Sequence, residues 1–230
     1  MTIRLLNVGA NAKTVKGDVL GEYLTGILYL APSLTSGYQT CPSATEGCKA
    51  SCLFSAGRGR MHSVESARIR KTKELFENTE EFEKTLIKDI TSLVDKAKRG
   101  GVKPALRLNG TSDIYWPAKL PKIFDLFPDL IHYNYTKEKK VMSNYMAGKC
   151  PPNYYLTFSR SETNWDYCKD VLDAGHTVCA VFKTRPSEYE GYKVFSADET
   201  DLRFTDPPGQ IGGLTAKGKA KKDLTGFLVQ

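Results

Sequence analysis

The strongest constraint on the fold is a regular alternation of strand-like and helix-like segments along the chain. Apolar runs of strand length are followed by amphipathic runs of helix length, and the pattern repeats as far as Lys183. Strands joined through helices run parallel with right-handed crossovers, so the alternation predicts the α/β class. The predicted strands are residues 26–32, 103–109, 130–135, 154–159, 176–183 and 192–195, with a further short strand at 226–229. The predicted helices are residues 62–76, 79–99, 113–127, 138–148 and 163–174.

About six parallel strands fit either an open doubly wound sheet or a (β/α) barrel. The doubly wound dinucleotide-binding version carries a GxGxxG motif after its first strand, and no such motif follows here. We therefore predict a full or partial barrel. The predicted organisation is an N-terminal extension (1–24), a barrel-like domain (25–206) and a basic C-terminal tail packed on that domain (207–230).

A polar loop at residues 33–60, directly after the first predicted barrel strand, contains three of the six cysteines. The C-x6-C-x3-C spacing of Cys41, Cys48 and Cys52 allows the thiols to face a common centre. Cys48 and Cys52 would share a helical face if a helix begins after Glu46. Three thiolates can ligate three irons of a [4Fe–4S] cluster. A zinc site completed by His62 stays open as an alternative, although the gaps differ from paired zinc knuckles.

Polar side chains cluster where the predicted strands end, which is where barrels place their active sites. Arg107 and Lys183 each lie near the end of an apolar run, so each is predicted to be a buried cation that needs an anionic partner or ligand. Asp113 or Asp198 could be structural partners. The predicted contacts of a small anionic ligand are Arg107, Asn109, Lys137, Ser159 and Lys183.

The chain has a net charge of +7, and the positive charge is concentrated at residues 58–73 and 217–222. Such patches attract polyanions. An alternative function is therefore nucleic-acid binding, with the cluster or zinc as a structural element. A solvated basic face would look the same in the sequence. The candidate nucleic-acid contacts are Arg58, Arg60, Arg68, Arg70, Lys71 and Lys73.

The composition argues against a membrane or secreted protein. No apolar run approaches the length of a membrane span, and the first residues lack the apolar core of a signal peptide. A cytoplasmic location is expected, where clustered cysteines are more often metal ligands or catalysts than disulfides. The other three cysteines are predicted to be small buried or half-buried side chains, with Cys179 the best candidate among them for a fourth ligand.

The cysteine loop resembles that of the radical S-adenosylmethionine enzymes. There a loop after the first barrel strand holds a [4Fe–4S] cluster whose open iron binds S-adenosylmethionine, so the resemblance implies a possible enzyme of this type. The present chain departs from the usual C-x3-C-x2-C spacing. It also has Asn109-Gly110-Thr111 where those enzymes have a GGE-like stretch.

A second and closer resemblance is to the phage-borne gene product eighty-eight family. It is carried by CPSATEGCKASCL, RLNGTSDI, YTK, TFSRSETN, VCAVFK and GLTAKGKAKKDLTGFLV, which together cover most of residues 25–230. This resemblance implies a protein of a virus or mobile element, located in the host cytoplasm, with a cluster-binding loop. Under this resemblance, the alternative nucleic-acid binding would serve phage replication or host takeover. It does not imply a particular reaction.

Overall fold

The computed structural model describes residues 4–9 and 22–230, and within them the strands form one mostly parallel sheet of ten strands. The path of neighbouring strands runs from β1 to β7, and these two outermost strands do not pair, so the described sheet is not closed. The strands are β1 (Leu6–Val8), β2 (Tyr23–Leu28), β3 (Lys103–Arg107), β4 (Ile131–Thr136), β5 (Tyr154–Ser159), β6 (Val178–Phe182), β7 (Glu188–Tyr189), β8 (Tyr192–Ser196), β9 (Ile211–Thr215) and β10 (Leu228–Val229).

The strand order confirms the α/β prediction. Strands β2 to β6 are parallel neighbours in chain order, followed by β9 and β8, while β10 adds to β6. Edge strands β1 and β7 run antiparallel to their neighbours. Winding in a single direction with right-handed crossovers places the connecting helices on one face of the sheet. The carboxyl ends of β2 to β6 therefore meet at one edge, which we call the carboxyl edge.

Seven α-helices accompany the described strands. They are α1 (Glu46–Ala50), α2 (His62–Glu77), α3 (Thr79–Arg99), α4 (Trp116–Lys119), α5 (Lys122–Leu126), α6 (Lys139–Met146) and α7 (Trp165–Asp173). Helix α3 follows its sequence pattern closely, since its apolar stripe from Phe82 to Ala97 is at most 1% exposed and the helix packs on β2 and β3. Asn78 precedes it, and the Asn78 side-chain amide donates a hydrogen bond to the Glu74 carboxylate instead of capping the helix. Among the described residues, no helix is both long and apolar enough to cross a bilayer.

The predicted single helix at 113–127 is wrong, because two short helices occupy the segment. Pro121 disfavours a helical backbone at the preceding residue, and Leu120 has φ −140° and ψ 72°. Helix α7 begins at Trp165, two residues after the predicted start. Asn164 precedes it, and the Asn164 side chain accepts a hydrogen bond from the Ser161 N–H at 2.6 Å.

The segment 207–230 is not a tail packed on the domain, because β9 lies inside the sheet between β6 and β8. The two glycines of β9 weaken its strand signal in the sequence. Gly212 is needed there, since a Cβ at this position would lie 2.7 Å from the Cys179 Sγ. Strand β10 falls within the predicted 226–229. Part of the predicted N-terminal extension is also in the sheet as β1, while residues 1–3 and 10–21 lie outside the described part.

The sheet face opposite the helices carries aromatic and charged side chains. Arg107 Nη1 lies 2.7 Å from the Asp201 carboxylate in a salt bridge. A 3₁₀ turn at Arg203–Thr205 covers this face, and the Phe204 ring packs edge-on against the rings of Tyr23 and Tyr133 at centroid distances of 5.1 and 5.4 Å. This face is therefore filled by the protein's own side chains below the carboxyl edge.

Candidate cysteine site at the carboxyl edge of the sheet

The cysteine loop is fastened to the carboxyl ends of β2 and β3. The Thr40 hydroxyl donates to the Ala31 carbonyl at 2.7 Å, and the Asp113 N–H donates to the Thr40 carbonyl at 2.7 Å. Gly110 lets the segment after β3 approach closely, because a Cβ there would lie 2.5 Å from the Tyr29 ring. These contacts hold the loop against the segments that follow β2 and β3.

Within the loop, Cys48 lies on α1, whereas Cys52 lies after the helix has ended at Ala50. The prediction that these two cysteines share a helical face is therefore wrong. The start of α1 is held by Glu162, which accepts hydrogen bonds from the Gly47 N–H and the Thr45 hydroxyl, both at 2.8 Å. Since Glu162 lies between β5 and α7, this carboxylate ties the cysteine loop to a second loop of the same edge.

The three loop thiols are free and half-buried. Burial raises the pKa of Cys41, and a Cys48 thiolate raises it further. Burial also raises the pKa of Cys52, and thiolates at Cys48 and Cys41 add to this. The Ser33 N–H donates to Cys41 Sγ at 3.4 Å. The thiols thus lie close enough to influence one another's ionisation, and forming all three thiolates together requires compensating positive charge.

A single-ion site is not pre-formed in the described residues, which contain no group of three or more His, Cys, Asp and Glu side chains arranged around one metal ion. The predicted fourth zinc ligand, His62, is exposed at the first position of α2. Zinc collects four donors around one ion. The thiolates of an iron–sulfur cluster each bind a different iron instead of meeting at one ion.

Two cations lie beside the thiols. The Arg68 guanidinium lies 5.0 Å from the Tyr29 ring centroid and 5.2 Å from that of Phe54. Burial lowers the pKa of Arg68, and a Cys52 thiolate acts against this shift. Its Nε and Nη1 are buried without a hydrogen-bond partner in the described part of the chain. Lys137 also acts on Cys52, lowering its pKa. The thiol site is therefore electropositive.

Lys137 and Ser159 are the two predicted ligand residues that the fold brings together. The Lys137 ammonium donates to the Ser159 hydroxyl at 2.8 Å and lies 5.6 Å from the Phe227 ring centroid. The Lys137 N–H donates to the Asp113 carboxylate at 2.8 Å. The ends of β4 and β5 thus present an ammonium group and a hydroxyl to the same space.

Arg107 is a buried cation as predicted, but the predicted partners Asp113 and Asp198 are wrong, because it pairs with Asp201. Burial opposes the charge on Arg107, and the Asp201 carboxylate outweighs burial and raises its pKa. A cation held in this way is already neutralised within the protein.

Asn109 and Lys183 are placed differently from the ligand prediction. The Asn109 carbonyl oxygen accepts from the Ser112 hydroxyl, the Ile114 N–H and the Trp116 ring N–H at 2.8–3.2 Å, so this side chain positions the segment after β3. Lys183 is exposed and not buried, and its ammonium donates to the Gln230 side chain at 3.3 Å.

The predicted nucleic-acid contacts do not form one surface. Arg58, Arg60, Arg70 and Lys73 are exposed, whereas Arg68 points toward the thiols and Lys71 is 8% exposed. The Lys71 ammonium donates to the Leu5 carbonyl at 2.6 Å, and burial lowers its pKa to about 8. Residues three or four apart share a helix face, so positions 68, 71, 72 and 75 all turn inward.

A cavity of about 360 Å³ opens beside the cysteine loop, between that loop and the starts of α6 and α7. Ser161 and Asn164 belong to the polar strand ends found in the sequence. Lys139 and Lys140 do not, and their only sequence signal is that they follow Lys137 closely. The lining residues are Ser43, Thr45, Lys137, Glu138, Lys139, Lys140, Ser161, Thr163 and Asn164.

Fold and site together define a mixed α/β protein with a free-thiol loop and an electropositive cavity at the carboxyl edge of a mostly parallel sheet. A family model described as Gene product 88 matches residues 4–230, and the chain belongs to the Gene product 88 family. This confirms the family resemblance drawn from the motifs. Neither curated proteins nor solved structures gave a match, so the comparisons do not support the likeness to radical S-adenosylmethionine enzymes.

Proposed function

We propose that this protein binds a [4Fe–4S] cluster through Cys41, Cys48 and Cys52. The observation that carries the proposal is that one loop, held at the carboxyl edge by hydrogen bonds, contains three free, half-buried thiols. Arg68 and Lys137 add positive charge beside them, which favours thiolates and a cluster with anionic ligands. When bound, such a cluster supplies electron transfer, or ligand binding at an iron that no cysteine holds.

The surrounding scaffold supports a small-ligand site next to the cluster. Strands β2 to β6 wind in one direction, which is the winding of a partial (β/α) barrel. Lys137 and Ser159 would contact a small anionic ligand at the mouth of that barrel. S-adenosylmethionine remains one predicted ligand of the open iron. The protein would act in the cytoplasm of a phage-infected host, as the family resemblance implied.

Anaerobic purification followed by iron and acid-labile sulfide analysis tests the cluster. We expect a brown protein with visible absorption that is lost in Cys48→Ser. Cys150→Ser is the matched control, because Cys150 is also a free, half-buried thiol but lies outside the loop, with its Sγ 3.5 Å from the Tyr115 hydroxyl. A change in the absorption spectrum on adding S-adenosylmethionine would support an open iron.

Two results would contradict the proposal. One is a colourless protein that carries stoichiometric zinc, which would favour the single-ion alternative. The other is equal iron content in the Cys48→Ser variant and in the wild-type protein.

A second candidate function, nucleic-acid binding, is favoured by the meeting of two basic segments distant in sequence. A Cβ at Gly218 would lie 3.0 Å from the Ala56 side chain, so the turn at Gly218–Lys222 lies against the segment that leads to Arg58 and Arg60. The exposed cations of this surface are Arg58, Arg60, Lys217, Lys219, Lys221 and Lys222.

Salt-dependent binding of single-stranded and duplex DNA tests this second function. The Lys219→Gln/Lys221→Gln variant should reduce the log–log salt slope by roughly 0.7–0.9 for each phosphate that the protein no longer neutralises. Lys88→Gln, which removes one exposed charge from α3, is the control. Absence of binding at low salt would exclude the function.

A further inference from the structure

The cavity beside the cysteine loop is built from parts that recognise an oxyanion. It lies at the N-termini of α6, which has eight residues, and α7, which has nine. The first-turn N–H groups of a helix have no intrahelical acceptor and carry partial positive charge. No side chain caps either helix. Two sets of backbone donors therefore border the same cavity.

Ser161 is a second feature of the cavity, independent of the helix N-termini. It is 1% exposed and lines the cavity, and its N–H is already bonded to the Asn164 side chain at 2.6 Å. No hydrogen bond of its hydroxyl to another described residue is found. Because the residue is almost fully buried and lines the cavity, this hydroxyl is available to a group bound there.

The charges around the cavity favour an anion. Lys137, Lys139 and Lys140 line it against a single carboxylate, Glu138. That carboxylate is engaged, since it accepts a hydrogen bond from the Ser43 hydroxyl. Lys140 is exposed and belongs to no ion pair in the described part of the structure. A surplus of lysines at two helix N-termini attracts a group with more than one negative charge.

We propose that this cavity binds the phosphate group of a small phosphorylated molecule. Donors come from two helix starts, from lysine side chains and from hydroxyls, so they surround a tetrahedral anion from several sides. A volume of about 360 Å³ admits a small molecule but not a folded polyanion. The inference rests on the small-ligand part of the proposed function and names its ligand class. It does not rest on the cluster.

The test is titration of the full chain with inorganic phosphate and with glycerol phosphate at constant ionic strength, followed by calorimetry and by the thermal midpoint. We expect saturable binding, with glycerol phosphate at least as tight as inorganic phosphate. Lys140→Gln should weaken binding roughly tenfold, and Ser161→Ala roughly fivefold, because each removes a hydrogen bond to a charged group. Lys88→Gln should bind as tightly as the wild type.

Iron content measured on the same samples separates this inference from the cluster proposal. Phosphate binding by iron-free protein would support the inference even though the cluster proposal had failed. Iron-loaded protein without saturable phosphate binding would overturn the inference alone. Equal affinity for phosphate in wild type, Lys140→Gln and Ser161→Ala would also overturn the inference. So would displacement of phosphate by a single-stranded oligonucleotide and not by glycerol phosphate, because this result would assign the bound phosphate to the surface of exposed cations described for nucleic-acid binding.

Discussion

Ionisable groups are paired or neutral in the buried interior of the protein, whereas at the carboxyl edge of the described structure cations and thiols lack such partners. In the interior, Arg107 is paired with Asp201, and His132 stays neutral because burial lowers its pKa to about 3. At the edge, Arg68 faces thiols, and the cavity lysines outnumber the carboxylates. Buried charge must be paired or removed. At the edge, cations and thiols lack ionic partners among the described residues, so a bound ligand can supply them.

Breaking the buried ion pair should have the largest effect. Asp201→Ala leaves the Arg107 guanidinium buried without its partner, so we expect a loss of about 3–5 kcal/mol in the free energy of unfolding. Urea denaturation measures it. The double variant Arg107→Met/Asp201→Leu should recover most of the loss, because it removes both charges. If Asp201→Ala leaves the free energy of unfolding unchanged within experimental error, the Arg107–Asp201 pair lies in contact with water.

The neutral His132 should make the protein sensitive to acid. Its ring is fully buried against Phe124, with centroids 4.4 Å apart. The folded pKa of about 3 lies below the ordinary value of 6.5, so between these values the unfolded state binds a proton that the folded state does not. Stability should therefore fall as the pH drops through this window, by up to about 1.4 kcal/mol per pH unit from this residue.

Urea unfolding of His132→Leu at several pH values between 7 and 4 checks this dependence. The variant should lose the His132 part of the slope, and His62→Gln, which changes an exposed histidine, should keep it. If the unfolding free energy of His132→Leu depends on pH as strongly as that of the wild type, then carboxylates and not His132 cause the acid sensitivity.

Removing Arg68, the cation beside the thiols, should change the reactivity of Cys52 more than the stability of the fold. Arg68→Met deletes a cation that lies over two rings but also removes a buried charge, so the unfolding free energy should change by only about 1 kcal/mol. Cys52 should then ionise less readily, because Arg68 and its thiolate interact. The rate of Cys52 alkylation near pH 8 should fall. Arg70→Met, an exposed change on the same helix, should leave that rate unaltered.

The smallest effect on stability is expected at the loop thiols. In metal-free protein, Cys48→Ser should change the unfolding free energy by less than about 0.5 kcal/mol, as half-exposed positions usually do. Cys168→Ser should cost more, since Cys168 is fully buried and burial raises its pKa to about 12. A large loss in metal-free Cys48→Ser would mean that the loop thiols serve packing instead of ligand binding.

Local sequence patterns predict the structure of a segment correctly where its own residues decide that structure. The apolar stripe of α3 and the apolar run of β6 are such cases, and both formed as predicted. The sequence pattern does not predict β9, because its two glycines weaken the strand signal, and one of them, Gly212, is required by a neighbour that is distant in sequence, Cys179. The helix break at Leu120 has a local signal in the sequence, because Pro121 disfavours a helical backbone at the residue before it.

By itself the sequence determined the class of fold and the placement of three thiols on one loop, because periodicity and spacing act over a few residues. Only the tertiary structure decided which charges meet. Arg107 pairs with Asp201, 94 residues away in the sequence, and Glu162 accepts a hydrogen bond from the Gly47 N–H, 115 residues away. The cavity at α6 and α7 likewise exists only because parallel strands bring their carboxyl ends to one edge. Such contacts depend on how strands pair, and local residue patterns do not specify that pairing.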